Sequence, residues 1–151
     1  MKKRWLFTLV FACLLLLPRL VFAVDFDILS YKGNLNIHAD NTAVFQQTIT
    51  YRFKDDFNGQ SVGLGKAGKM PEGFEIDDDP TVLVSKNGEI IEDALSYTKK
   101  NGKGYQVIIL NPGKAGDTVR VTITWQLKNL LFLYQDIAEL NWQPLTDSSG
   151  D

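Results

Sequence analysis

The sequence predicts an all-β fold, an antiparallel β-sandwich of the immunoglobulin-like or jelly-roll-like kind. The first observation is the stretch from Thr118 to Lys128, whose odd positions are all apolar and whose even positions are all polar. Successive side chains of a strand point to opposite faces, so this stretch can bury one whole face. Turn residues also separate short apolar runs along the chain, and no long helical pattern is present. We therefore expect about seven to nine strands in two packed sheets.

The N-terminus has the three parts of a secretory signal. A basic head precedes an apolar run from Trp5 to Leu17, and a small-residue cleavage site ends at Ala23. This order predicts a signal peptide over residues 1–23 and one exported domain over residues 24–151. The apolar run is short for a membrane span. Arg19 is an unusual neighbour for a cleavage site, so an uncleaved anchor is the alternative.

The mature domain is acidic and carries no cysteine. Residues 1–23 contain Cys13, the one cysteine of the chain, and four of its 16 basic side chains but none of its 18 acidic ones. The remainder has 12 basic and 18 acidic side chains, which is a net charge of −6. With neither disulfide nor thiol chemistry, it must be held together by its core. Its charge disfavours nucleic acid and anionic lipid headgroups as partners.

The beginning of the domain predicts a hairpin. Asp25 to Ala39 is either one long bent strand or a strand pair, because Lys32 to Asn34 interrupts its apolar positions. Ala39 to Asn41 is a turn, since Asp and Asn tolerate left-handed backbone. Thr42 to Phe53 alternates again, with Gln47 among the five apolar residues of one face.

The next region, Asp55 to Gly73, predicts no regular element. It contains five glycines and one proline. A long loop within a compact domain is often functional or mobile. Phe74 to Ile76 is expected to return to the sheet.

Two further hairpins are predicted before the central strand. Asn87-Gly88 separates the first pair of strands, and Asn101 to Gly104 separates the second. Asn111 to Gly113 is expected to end the last of them. The four strands are Thr81 to Ser85, Glu89 to Ile91, Leu95 to Lys99 and Tyr105 to Leu110.

The pattern changes after Asn129. Leu130 to Tyr134 is an apolar run that fits a buried strand or part of a helix, and periodicity does not decide between them.

A glycine-rich stretch resembles a nucleotide-binding loop. Gly63 to Lys69 matches most of a phosphate loop and a dinucleotide fingerprint. Met70 stands where a hydroxyl would meet magnesium, and Pro71 and Gly73 are incompatible with the helix that cradles phosphate. We therefore expect a surface loop and assign no nucleotide or other cofactor.

Metal ligands are sparse. His38 is the one histidine, so a histidine pair for zinc is excluded. Glu75 and Asp77 to Asp79 offer oxygens that suit calcium, although the spacing is not that of an EF-hand. A solvated turn ended by Pro80 is the alternative, and we assign no metal site.

Aromatic and acidic residues give the candidate ligand site. Trp125 lies on the apolar face of its strand and is expected in the core, whereas Trp142 and Tyr134 are the candidates for stacking on a ligand such as a glycan. Asp136 and Glu139 form a carboxylate pair of the kind that glycan hydrolases use, but helix capping or surface solvation is the role we expect for them. No catalytic residue is assigned.

Several pieces of the chain resemble a known family. Gly33 to Ile37, Phe45 to Phe53, Phe57 to Gly59 and Asp136 to Trp142 look like the start of the predicted bacterial membrane proteins called domain of unknown function 2207. The resemblance implies a secretion signal, a β-rich outer domain and transmembrane helices beyond it. Gln60 to Leu64 departs from the usual aromatic and charged continuation. The family offers no catalytic residues.

The expected function follows from the predicted export and the predicted fold. We expect a non-enzymatic, surface-exposed ectodomain of a bacterial membrane protein, acting as a binding or structural module at the cell envelope. A cell-wall glycan-binding module or a glycan hydrolase is the alternative. The partner is an envelope protein or glycan, and membrane attachment uses a segment outside this chain. Since family members continue after the segment that ends in Trp142, the sandwich is expected to be truncated at its C-terminal end.

Overall fold

The computed structural model describes residues 24–65, 69–102 and 104–144. The predicted signal peptide and residues 145–151 lie outside the described residues. Within the described part, every regular element is a β-strand. The eleven strands there are β1 Phe26–Ile37, β2 Thr42–Phe53, β3 Phe57–Leu64, β4 Glu75–Ile76, β5 Thr81–Lys86, β6 Glu89–Ile90, β7 Leu95–Asn101, β8 Gly104–Gly113, β9 Thr118–Lys128, β10 Phe132–Leu133 and β11 Ala138–Glu139.

Two antiparallel sheets of unequal width pack face to face, which confirms the all-β, sandwich-like prediction. The wider sheet has the order β1-β2-β9-β5-β6, with β4 also paired to β9. The narrower sheet has the order β3-β8-β7. Two ring contacts show which strands face each other. Phe53 of β2 stacks on Phe57 of β3 with centroids 3.7 Å apart, and Tyr105 of β8 lies 5.9 Å from Trp125 of β9.

The core lies between these sheets and is organised by β9. Its odd side chains are buried and its even ones face outward, as the period of two predicted. Trp125 is fully buried, so its prediction as a core residue is confirmed. Thr122 lies on the outer face, where its hydroxyl is 3.1 Å from that of Thr48 on β2.

The predicted turns are present where asparagine permits left-handed backbone. Asn41 joins β1 to β2 with a φ of 64°, and Asn87 joins β5 to β6 with a φ of 52°. Gly88 follows at 89°, so both central residues of this turn have the positive φ that a two-residue hairpin requires. Asp25 to Ala39 contains one strand, with a pairing irregularity between Ile28 and Ser30.

Three expectations were wrong. The region from Asp55 to Gly73 contains an eight-residue strand, β3. β8 continues to Gly113 and does not end at Leu110. The run from Leu130 to Tyr134 is neither one buried strand nor a helix, because Leu130 is buried before a two-residue strand begins at Phe132.

Glycine explains why β3 lacks a clear apolar alternation. A Cβ atom on Gly59 would lie 2.0 Å from the backbone oxygen of Ile109 on β8. The two strands approach so closely there that only glycine fits. The inward positions of β3 also include the polar Gln60, so the pattern of side chains carries a weak strand signal.

Candidate functional site

The C-terminal hairpin, residues 130–142, is the most distinctive surface feature of the described domain. Its strands β10 and β11 pair only with each other, with Phe132 opposite Glu139 and Leu133 opposite Ala138. The backbone N–H of Tyr134 donates to the carbonyl of Ile137 at 2.8 Å and closes the turn. The hairpin strands are therefore part of neither main sheet.

Asn41 fixes the start of this C-terminal hairpin. Its side-chain amide donates to the carbonyl of Leu131 at 3.0 Å, and its side-chain oxygen accepts from the backbone N–H of Leu131 at 2.8 Å. Leu130, next to it, is fully buried. Because Asn41 lies in the β1–β2 turn, these bonds tie the hairpin to the wider sheet.

Trp142 anchors the other end of the C-terminal hairpin. Its ring is 8% exposed and meets Phe45 edge to face, with centroids 5.0 Å apart. The indole N–H donates to the carbonyl of Gly65 at 3.1 Å, and the N–H of Gly65 donates to the carbonyl of Pro144 at 2.7 Å. The chain after β11 is thus held against the end of β3.

Between these two anchors the C-terminal hairpin exposes large apolar side chains. They are between 44% and 66% exposed and follow one another closely along the chain: Leu133, Tyr134, Ile137 and Leu140. Clustered apolar side chains on a soluble surface often mark an interaction site. An exposed turn on a rigid β-scaffold is also a common place for binding residues.

Two acidic side chains border this apolar cluster. Asp136 and Glu139 are both exposed, and the Glu139 carboxylate accepts a hydrogen bond of 2.7 Å from the side chain of Asn141. A glycosidase acid needs an environment that raises its pKa, such as an apolar pocket. Their exposure therefore favours a charged border for a binding surface over a catalytic pair.

The structure separates the two residues predicted to bind a ligand. Tyr134 is 55% exposed and available for contact. Trp142 packs in the core, and a buried ring offers no free face for a sugar. That both bind a ligand stays a prediction, which the geometry favours for Tyr134 and not for Trp142.

The acidic turn after β4 is exposed. Asp77 to Asp79 form a turn in which the backbone N–H of Asp79 donates to the Asp77 carboxylate at 3.1 Å. No three histidine, cysteine or acidic residues within the described ranges are grouped to hold a metal ion. Of the glycine-rich stretch, residues 66–68 lie outside those ranges.

Sequence reasoning missed the apolar residues of the C-terminal hairpin and the anchor at Asn41. Leu133 belongs to a run whose pattern fits a buried strand or part of a helix, and Ile137 and Leu140 carry no binding signal in the sequence. The one available signal was Gln135-Asp136, two polar residues that interrupt the apolar stretch and indicate a turn. The bonds between Asn41 and Leu131 join residues 90 positions apart and have no local signature.

Comparison with known proteins gives a family but no activity. Residues 27–150 match the family described as predicted membrane protein (DUF2207) N-terminal domain. No curated protein and no solved structure matches the chain. In the part of the chain that the structure describes, no helix is long and apolar enough to span a membrane.

Proposed function

Because this chain belongs to the family of the predicted membrane protein (DUF2207) N-terminal domain, we propose that it is a non-enzymatic ectodomain at the outer face of a bacterial cell membrane. The signal-like sequence at residues 1–23 supports export. The absence of cysteine from the mature sequence is compatible with an oxidising compartment.

The anchored C-terminal hairpin carries the proposal that this ectodomain binds another envelope protein. Its exposed side chains are mainly aliphatic, and such side chains suit the apolar centre of a protein interface. Asp136 and Glu139 lie beside them and complement basic side chains at the edge of a partner. The partner surface is therefore an apolar patch with a basic border.

Site-specific photo-cross-linking in intact cells tests this function. The cross-linking amino acid p-benzoyl-phenylalanine replaces Tyr134 or Ile137 and, as a control, Leu83 on the outer face of β5. Leu83 is 59% exposed, similar to the two hairpin positions. We expect both hairpin variants to form an adduct with the same envelope protein and the Leu83 variant to form none. Absence of an adduct at the hairpin, or the same adduct from all three positions, would contradict the proposal.

A glycan ligand is the second candidate, supported by the exposed ring of Tyr134. Sedimentation with isolated cell-wall glycan distinguishes the two ligands. Retention that Tyr134→Ala abolishes and Leu133→Ser leaves intact would favour the glycan. Turnover of that glycan, lost in Glu139→Gln, would identify a hydrolase in place of a binding module.

A further inference from the structure

The wider sheet extends one strand beyond the narrower sheet. Since β3 lies over β2 and β8 over β9, no strand of the described residues lies above the inner face of β1. Phe26 and Ile28 are 43% and 53% exposed, although their cross-strand neighbours Phe53 and Tyr51 are buried. The apolar layer therefore continues past the edge of the core.

Part of this inner face is already covered by the chain itself. Phe45 packs on Gly33, where an added Cβ would lie 3.2 Å from its ring, and Trp142 packs on Phe45. The uncovered part is the other end of β1, from Phe26 to Tyr31. We call the space above it, next to β3, the β1–β3 notch.

The free edge of β3 borders the β1–β3 notch. Gly65 uses its N–H to reach Pro144, so this group points away from β8. Backbone groups along an antiparallel strand alternate between its two edges. The N–H and C=O groups of Ser61 and Gly63 therefore face the notch, and no described residue pairs with them there.

Buried polar side chains near the notch also lack partners. The Tyr31 hydroxyl is 3.1 Å from the side-chain oxygen of Gln47, but the Gln47 amide nitrogen has no hydrogen-bond partner. Gln60, which faces inward from β3, has none for either side-chain atom. Both residues are more than nine-tenths buried. These amide atoms have almost no accessible surface, so they belong to the core beside the notch and do not line it.

We propose that the β1–β3 notch binds one extended segment of a partner protein, which pairs with the free edge of β3 as a fourth strand of the narrower sheet. Its inward side chains are apolar where they cover Phe26 and Ile28. β3 supplies the main-chain hydrogen bonds, as in other cases of strand addition. The segment extends a contact that residues 142–144 already begin at Gly65.

The width of the notch argues for a strand and against a second copy of this chain. Among the described strands of the wider sheet, only β1 lies beyond β2. If β3 paired with β3 of a second copy, the second β3 would lie above β1 of the first copy. The β2 strand of the second copy, which lies beneath its own β3, would then occupy the same position as β1 of the first copy. One layer cannot hold both strands.

Amide exchange measured by NMR on the ¹⁵N-labelled full chain tests strand addition. The probe is a pool of nine-residue peptides with Val, Ile, Leu, Phe or Thr at alternate positions and Ser, Thr or Lys between them. We expect the pool to slow exchange at Ser61 and Gly63 by roughly tenfold or more. A matched pool, N-methylated at alternate residues so that it cannot pair, should leave both rates unchanged.

Two variants test whether the protection by the peptide pool depends on the inner face of β1. Ile28→Lys places a charge on the inner face of β1 and should abolish the protection. Leu83→Lys changes a similarly exposed residue on the opposite face of the same sheet and should preserve it. Unchanged exchange at Ser61 and Gly63 with the peptide pool would overturn the proposal. The proposal would also be overturned if Ser61 and Gly63 were protected from exchange without peptide and the chain sedimented as a dimer. The occupant of the notch would then be a second copy.

Discussion

At the scale of single residues, Gly59 determines how closely β3 approaches β8. A Cβ atom there would lie 2.0 Å from a backbone oxygen, which cannot rotate away as a side chain can. We expect Gly59→Ala to lower the free energy of unfolding by about 3 kcal/mol, in the range of severe overpacking. Urea denaturation measures this value. Asn58→Ala, at an exposed neighbouring position, should change it by less than about 0.5 kcal/mol, and equal effects would refute the close approach.

Asp117 links two turns and makes stability depend on acid pH. Its carboxylate accepts from the backbone N–H of Lys114 at 2.9 Å and from the side chain of Asn87 at 2.8 Å. These bonds, the backbone one first, hold the pKa of Asp117 below its ordinary value of 3.8. Because the pKa is lowered in the folded state, the stabilisation is complete above pH 3.8 and is lost as the pH falls through the folded pKa.

The variant Asp117→Asn tests this acid dependence. Its melting temperature should be lower than that of the original chain at neutral pH and should fall less steeply below about pH 4. Thermal melts followed by circular dichroism give both slopes. Asp78→Asn, in an exposed turn, is the control. A slope unchanged by Asp117→Asn would show that this carboxylate does not link folding to pH.

At the scale of elements, β9 supplies a face-specific test of the core. Ile123 is fully buried, whereas Thr122 faces outward. Ile123→Asp buries a charge and should unfold the domain, while Thr122→Asp should cost only about 1 kcal/mol through its lost hydroxyl contact. Circular dichroism and urea titration compare the two. Similar losses at both positions would mean that β9 is not the central half-buried strand.

Asn41 gives a separate test of the hairpin anchor. Asn41→Gly keeps the positive φ that the turn needs but removes both bonds to Leu131. We expect a loss of about 1 to 3 kcal/mol, with faster amide exchange at Leu131 than in the rest of the sandwich. Uniformly faster exchange across all strands would instead indicate a general loss of stability.

The strands and turns also show which sequence patterns are sufficient to predict secondary structure. β9 and β2 alternate over eleven or more residues, and Asn-Gly defines the β5–β6 turn, so local rules predict them correctly. Sequence patterns do not predict β3 because Gly59 and Gly63 carry no side chain and Gln60 places a polar residue on the inner face. The C-terminal hairpin could not be predicted for another reason. Its apolar residues have the composition of a core segment, and only the distant contacts of Asn41 and Trp142 keep them at the surface.

At the scale of the whole molecule, packing between distant parts of the chain explains why the burial of Trp142 and the exposure of Tyr134 could not be predicted from the sequence. Trp142 and Tyr134 both belong to the same apolar and aromatic tail. Packing against Phe45 buries the first, and the hairpin turn exposes the second. Burial of this kind depends on contacts between residues far apart in the chain, such as the bond from Trp142 to Gly65.

Labelling of single cysteines tests whether this domain is displayed outside the cell membrane, as we propose. In a Cys13→Ala background, Ile137→Cys provides a single exposed thiol for a membrane-impermeant maleimide, and Val121→Cys provides a buried control. Labelling is compared between intact and lysed cells. We expect equal labelling of Ile137→Cys in intact and lysed cells, with Val121→Cys labelled only after denaturation. Labelling of Ile137→Cys that requires lysis would place the domain inside the cell and contradict its role as an ectodomain.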